Sequence, residues 1–501
     1  MHTLETIDQQ RQAVSKLIPA KQKSNLGQFM TPSLIADFMA SLFSHAPCNE
    51  IRLLDAGAGI GSLTASFIEE FNQREQQPNS IKSTTYEIDP VMRKHLATTL
   101  SECGKVCNIS EIVFSSELHS DDFIELTSQL ILNGNPQRFT HAILNPPYKK
   151  INSASQHRKD LRTVGIETSN LYTAFVALSI LMLEEGGELV AITPRSFCNG
   201  PYFKPFRKLL LDNMALKHIH VFESRDKAFG GDEVLQENII FHAIKGGSRD
   251  SIVVSSSIDS DFEHINFQKS DYNQVVKPND PDMVFHLATN NTQIELEQQM
   301  GAFTHILQDM GVEVSTGPVV DFRLRKHIKP ELEEGYVPLV YAAHFDNGFI
   351  VHPRADIRKA NAFEDMAETH KWLLPSGWYT LVRRMSSKEE KKRLITCVLN
   401  PTTINHSWIG FENHLNVFHC KKQGLTPDLA KGLSVFLSST LLDMYFRQFN
   451  GHTQVNASDL RMLRYPSRDV LMSIGSKVGN VMPDQAIIDT WINQEIARVK
   501  N

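Results

Sequence analysis

The 501-residue chain lacks the features that would tie it to a membrane, an oxidising compartment or a metal. It has no run of the roughly 18 apolar residues that a membrane-spanning helix needs. Its start, Met1-His2-Thr3-Leu4-Glu5, lacks the charged-then-apolar pattern of a secretion signal, so a soluble, unexported protein is expected. Six cysteines (Cys48, Cys103, Cys107, Cys198, Cys397 and Cys420) are scattered without a Cys-x-x-Cys pair, which predicts reduced thiols and no bound metal. A basic excess is missing too: 51 Lys and Arg face 57 Asp and Glu, a formal charge of −6, so any nucleic-acid contact must come from local basic patches. The second half, about 285–501, shows no repeat, and the chain has no convincing Pro-Asp...Glu-x-Lys constellation of the kind a fused nuclease would show.

What is present centres on Asn145-Pro146-Pro147-Tyr148, directly after the apolar run Ala142-Ile143-Leu144. A planar amino group on a base or amide is a poor nucleophile because its lone pair is delocalised. Acceptors that draw it toward tetrahedral geometry restore reactivity, and the Asn145 side-chain oxygen and the Pro146 carbonyl can supply two. Successive prolines fix φ and preset the loop, while Tyr148 offers an aromatic face for stacking. Taken alone, the tetrapeptide is equally a rigid turn after a strand.

Upstream, Ile51 to Gly61 reads as a short strand, a glycine-rich turn and the opening of a helix, with the spacing Asp55-x-Gly57-x-Gly59-x-Gly61. Glycines let backbone approach a ligand closely, and an acid at the strand end favours a ligand carrying an amino group over a pyrophosphate. A second strand, Ser83 to Tyr86, ends in Glu87-Ile88-Asp89-Pro90, about one βαβ unit further on, where Glu87 can accept both hydroxyls of a ribose. Apolar strands alternate with helical stretches from about 51 to 245, which predicts a mostly parallel sheet with helices on both faces.

In this order the motifs resemble the class I S-adenosylmethionine-dependent methyltransferases, and within them the gamma-class DNA adenine-N6 amino-methyltransferases of type II restriction-modification systems. The resemblance spans roughly residues 20 to 245. It implies an α/β, Rossmann-like, mostly parallel seven-stranded sheet, with S-adenosylmethionine as cosubstrate. Gln28, Thr31 and Pro32, within Gly27 to Pro32, resemble the family's methionine-binding motif. Asp122 or Asp121, with Phe123, resembles the segment that contacts the cosubstrate adenine, joining Asp55, Gly57, Gly59, Gly61, Glu87, Ile88 and Asn145 as cosubstrate-binding residues. Gly186 to Pro194 resembles the fifth-strand motif. Tyr202 and Phe203, with Phe206 and Arg207, resemble the lining of the target-base pocket, to which Tyr148 and Lys149 would also belong. Asn145, Pro146, Pro147 and Tyr148 would be catalytic. Pro47-Cys48 has the dipeptide of cytosine-C5 enzymes, but it precedes the first strand, so Cys48 is read as structural.

With 41% hydrophobic residues the chain can bury two cores. The expected organisation is an N-terminal helical region (1–50) with an amphipathic helix in 1–24, a catalytic domain (51–250), a polar linker near 255–282 with some strand content, and a second domain (285–501). The resemblance makes the last a mixed α+β target-recognition domain gripping double-stranded DNA. Lys149-Lys150 and His157-Arg158-Lys159 with Arg162 form a basic stretch after the catalytic loop. In the second half Arg323, Arg383 and Arg384 are candidate DNA contacts. A bacterial or archaeal cytoplasmic location is implied, as is a cognate restriction endonuclease acting separately. Two alternatives stay open: transfer to another planar amine (cytosine N4, an RNA base or a protein glutamine), and a modification subunit of a larger restriction complex.

Overall fold

In the computed structural model, residue 11 and residues 30–44, 48–222, 237–278, 280–288, 291–387, 389–450 and 453–500 are described. Residue 11 is helical, but the rest of the expected helix in 1–24, and Gln28, lie outside the described residues. The chain divides into two compact units, 1–290 and 291–501.

The first unit is built on a sheet of nine strands among the described residues, in the order β3-β2-β1-β4-β5-β7-β6-β8-β9. These are β1 Glu50–Ala56, β2 Ser80–Tyr86, β3 Val113–His119, β4 Phe139–Leu144, β5 Leu183–Pro194, β6 Met214–Phe222, β7 Asn238–Lys245, β8 Ser251–Ser257 and β9 Asn266–Asp271. Strands β1 to β5 are mutually parallel, and β7 runs antiparallel to both β5 and β6. The expected seven strands are exceeded: β8 pairs parallel with β6, and β9 antiparallel with β8. The stretch expected as a linker therefore carries part of the same sheet. The following segment is also fastened to this unit, since Phe285 N donates to Cys198 O at 2.9 Å.

Helices cover both faces: α1 Ser33–Ser41, α2 Ser62–Asn72, α3 Pro90–Ile109, α4 Phe123–Leu132, α5 Gln156–Thr163, α6 Leu171–Met182 and α7 Lys204–Asn213. The strand period of two divides the core. Ile143 and Val190 join Met39 of α1 and Phe67 of α2 on one side, whereas Leu144 and Ala191 join Val176 of α6 and Leu210 of α7 on the other. Because the central strands are buried on both faces, they read as continuous apolar runs. Side chains fix two helix starts. Asp89 accepts from Val91 N (2.8 Å) and Met92 N (3.1 Å) ahead of α3, with Pro90 at its first position, and Asp122 does the same for α4.

Gly61 has φ +90 and leads into α2. A Cβ there would lie 2.8 Å from Leu96 Cδ1 and 3.0 Å from Thr99 Cγ2 of α3. Gly61→Ala is expected to destabilise the protein by about 1–3 kcal/mol, through strain at positive φ and overpacking, read as a lower thermal midpoint.

Among the described residues the second unit contains a six-stranded sheet whose middle strands are Leu415–His419, Tyr379–Arg383 and Thr396–Leu399, and a five-stranded sheet centred on Tyr336–Val340. Helices Pro427–Leu437 and Arg468–Gly475 pack closely: a Cβ on Gly432 would lie 1.9 Å from the Leu471 carbonyl oxygen. The sequence of this unit reads as strands near 337–342 and 348–351 and helices near 425–436 and 438–448; the elements lie within a few residues of these, as Tyr336–Val340, Phe349–Ile350, Pro427–Leu437 and Thr440–Phe449.

Candidate functional site

In an open doubly wound sheet, ligands sit outside the carboxyl ends of the strands where the winding reverses. Here that point lies between β1 and β4, because the chain proceeds outward from β1 to β3 before returning to β4. The loops that follow β1, β2, β3 and β4 line a cavity of about 220 Å³ there.

The glycine turn forms one wall. Gly57 (φ +79) and Gly59 (φ +57) occupy left-handed backbone, and the Gly57 and Ala58 amides donate to Tyr86 O at 2.9 and 3.0 Å, joining the turn to the end of β2. A Cβ on Gly57 would lie 3.7 Å from Phe175 and 3.9 Å from Pro147. Glu87, 3% exposed, accepts from Gly59 N at 2.9 Å and Asp89 N at 2.8 Å. Burial pushes its carboxyl up to about 7 despite these donors. Asp55 is fully buried and does not reach the cavity wall. Its Oδ2 accepts from Thr64 Oγ1 at 2.7 Å, while its buried Oδ1 has no hydrogen-bond partner. Burial raises it to about 7 as well.

Asn145 lies at the end of β4, and its Nδ2 donates to Thr31 Oγ1 at 2.9 Å. This bond brings the segment before α1 onto the loop Asn145 to Tyr148. Met30, Thr31, Gly57 and Asn145 share a small adjoining recess. Pro32 precedes α1, its carbonyl accepting from Ala36 N, and lines neither cavity. Pro147 reaches the main cavity, whereas Pro146 is buried beneath the loop. The Tyr148 hydroxyl donates to Ile192 O at 3.3 Å, and its ring meets Tyr172 edge-on at 6.2 Å. Burial pushes the Tyr148 phenol well above its usual range, which keeps it neutral. Behind the loop, Leu171 N donates to Lys149 O and Ile151 N to Ser169 O, both at 2.8 Å, tying the loop's exit to the start of α6.

Asp121, Asp122, Phe123, Ile88 and Lys149 all line the cavity. Asp122 commits both oxygens to the protein: Oδ1 accepts from Ile124 N (2.9 Å) and Glu125 N (3.1 Å), and Oδ2 pairs with His157 Nε2 at 3.0 Å. Of the two acids considered for an adenine contact, Asp121 is the exposed one. Gly61 belongs to the packing of α2 on α3 rather than to the cavity. Tyr202 is 82% exposed, and Phe203 is buried 5.8 Å from Tyr172, so it supports Tyr148 through that ring. Arg207, fully buried, donates to Phe197 O and Gly200 O at 2.8 Å and to Asp282 O, and is a fastening of the fold. The cavity's apolar wall of Met92, Ile124, Leu171 and Phe175 lies outside every sequence motif. Leu171 and Phe175 stand one helical turn apart on α6, a spacing that marks a shared face without saying what it covers.

The basic stretch after the loop is partly neutralised. Arg158 and Arg162 turn onto Glu167, Arg158 also onto Thr168 O, and His157 onto Asp122, which leaves Lys149, Lys150 and Lys159 exposed. In the second unit Arg383 pairs with Glu390, and Arg384 donates to Asn413 O (3.3 Å) and Gln454 Oε1 (3.4 Å). Arg323 is exposed over the Phe322 ring.

A glycine turn, an apolar slot and carboxylates at its rim make a donor set suited to a nucleoside with hydroxyls and an ammonium group; the buried Asp55 Oδ1 still lacks a partner. Residues 62–229 match the family described as Eco57I restriction-modification methylase. The chain is 45% identical to the type II methyltransferase M.BsuBI of Bacillus subtilis over 98% of both chains. It is 44% identical to M.PstI of Providencia stuartii over 98% of this chain and 96% of that one. Among solved structures, that of the type IIL restriction-modification enzyme MmeI in complex with DNA aligns with a TM-score of 0.54 at 13% identity, over 90% of this chain and 70% of that chain, a likeness of fold.

Proposed function

The chain belongs to the type II methyltransferases, and from that premise we propose that it transfers a methyl group from S-adenosylmethionine to the N6 amine of an adenine flipped out of double-stranded DNA. The observation that carries the reading is the Asn145 amide, oriented by Thr31 at the mouth of the cavity lined by Gly57 and Glu87.

In this reading Glu87 accepts from ribose hydroxyls, the Gly57 turn leaves room for the cosubstrate backbone, and Met30 and Thr31 flank its methionine end. Bound there, S-adenosylmethionine supplies the electrophilic methyl group. Thr31 takes one Asn145 amide hydrogen, which orients the side-chain oxygen as an acceptor for the target amine, and the Pro146 carbonyl is the second acceptor. Tyr148, held by Tyr172 from behind, stacks on the extruded base. The protein's task is alignment and polarisation, and no covalent enzyme adduct is needed. The second unit acts as the target-recognition domain. Arg323 is the best placed of the three candidate arginines for a phosphate or base contact, because Arg383 and Arg384 already have protein partners. Methylation at one sequence protects DNA from a separate cognate endonuclease.

The test is transfer from labelled S-adenosylmethionine to unmethylated plasmid DNA, followed by nucleoside analysis. N6-methyladenine at one recurrent sequence is expected. N4-methylcytosine would reassign the target base, and label on RNA or protein alone would overturn the DNA reading.

A further inference from the structure

His157 sits on α5, the helix that follows the catalytic loop, yet its ring lines the cosubstrate cavity. Its Nε2 lies 3.0 Å from Asp122 Oδ2, and the opposite oxygen of that carboxylate holds the first two free amides of α4. One histidine thus spans two loops: it fixes the turn Asp121 to Phe123 after β3 and ties it to the segment emerging from Tyr148. Both side chains are 34% exposed at the cavity rim, so solvent protons reach the pair.

We propose that His157, in its protonated form, is a positioning residue for the cosubstrate: by clamping Asp122 it sets the adenosine end of the cavity and couples that end to the helix behind the catalytic loop. The inference rests on the S-adenosylmethionine reading above. The groups that face the imidazole are Asp122 and Glu125 from the α4 side and Asp160 on its own helix. Asp121 and the opposing Lys149 line the same cavity. The hydrogen bond that His157 donates to Asp122 raises the imidazole above its usual value. Asp122 itself, against the upward push of burial, is held below the ordinary carboxylate range by His157 and the α4 amides. A raised histidine keeps its partner below its folded pKa and releases it as pH rises through that value. The clamp therefore persists to higher pH than an unperturbed histidine would allow and loosens as pH rises through the raised value.

Titration calorimetry on the full chain, with S-adenosylmethionine and S-adenosylhomocysteine as probes, tests this between about pH 6 and pH 9. The unaltered chain is expected to bind several-fold more weakly at the alkaline end. His157→Ala should bind about tenfold more weakly at the acidic end and lose most of the pH dependence. His157→Gln, a neutral donor that cannot titrate, should bind at every pH about as well as the unaltered chain does at the alkaline end, and better than His157→Ala. Equal affinity and an unchanged profile in His157→Ala would overturn the assignment and leave the cosubstrate reading standing. So would a weakened His157→Ala that glutamine does not rescue and whose thermal midpoint has fallen, because that marks a merely structural role. No binding of either probe by the unaltered chain at any pH would remove the cosubstrate reading, and this inference with it.

Discussion

Replacing Asn145 with alanine is expected to lower methyl transfer by about 10²–10³-fold, with S-adenosylmethionine affinity changed only a few-fold. In the proposed reading the lost group is an acceptor for the target amine, where positive charge develops as the lone pair is committed to the new bond, so the effect would belong to the reacting state and not to cosubstrate binding. Some loss of affinity is expected because Asn145 also borders the cavity and its amide anchors Thr31. Single-turnover transfer and calorimetry on the same preparation separate the two effects. Asn145→Asp is the sharper comparison: it keeps an oxygen but presents a carboxylate without the N–H that Thr31 accepts, so restored turnover would show that the Thr31 bond is dispensable. Full activity in Asn145→Ala would remove the acceptor role altogether.

The second large effect concerns Asp55. Its carboxyl is raised to about 7 in the folded chain against an ordinary value of 3.8, because burial opposes its charge. For a raised carboxyl, the folded state holds the proton more tightly than the unfolded state, so this contribution to stability is present below the unfolded value and is lost as pH rises through about 7. Asp55→Asn should therefore leave stability almost unchanged near pH 4 and raise it by about 1–3 kcal/mol near pH 8, a gain of a few degrees in thermal midpoint. In the proposed reading the same change should weaken S-adenosylmethionine binding by about tenfold, since the buried Oδ1 without a hydrogen-bond partner, set back from the cavity wall, would meet the ligand's ammonium group through a water. A variant that is more stable and binds less well would identify the acid as a group kept for its ligand. One that is no more stable at pH 8 than the unaltered chain would mean Asp55 is protonated, or relaxed, at that pH.

The parts of this site legible in the sequence are those in which backbone geometry restricts the residue type. Gly57 and Gly59 stand at positive φ, Pro90 sits at the first position of α3 behind its Asp89 cap, and Asn145 to Tyr148 follow a buried strand. Each leaves a mark in the chain because few other residues fit. Illegible were the elements whose composition misstates their burial. The serine-rich end of β8 falls in the stretch expected as a polar linker with some strand content, yet Ser255 and Ser257 are buried with their hydroxyls on imidazoles: Ser255 Oγ lies 2.7 Å from His218 Nε2 and 2.8 Å from His220 Nδ1, and Ser257 Oγ 3.0 Å from His220 Nε2. Those polar pairs let a serine-rich strand lie inside a core. Strand β9, at the edge, is mostly exposed and carries little apolar signal. Charge runs misled for a related reason. Arg158, Arg162 and Arg383 looked available to a polyanion, but each has a glutamate partner that sequence spacing alone did not assign. Phe203 and Arg207 sit inside the protein, although their neighbour Tyr202 is exposed.

The extra strands bear on how specificity could be exchanged between relatives of this chain. A chimera joined near residue 250, just ahead of the polar stretch, would inherit β8 and β9 from the wrong parent, and with them the serines that meet His218 and His220 and the carbonyl of Asp282 that receives Arg207. Joined near 290, the same graft carries a whole sheet from one parent and a whole second unit from the other. The sheet thus sets the recombination point, forty residues beyond where the polar composition would put it.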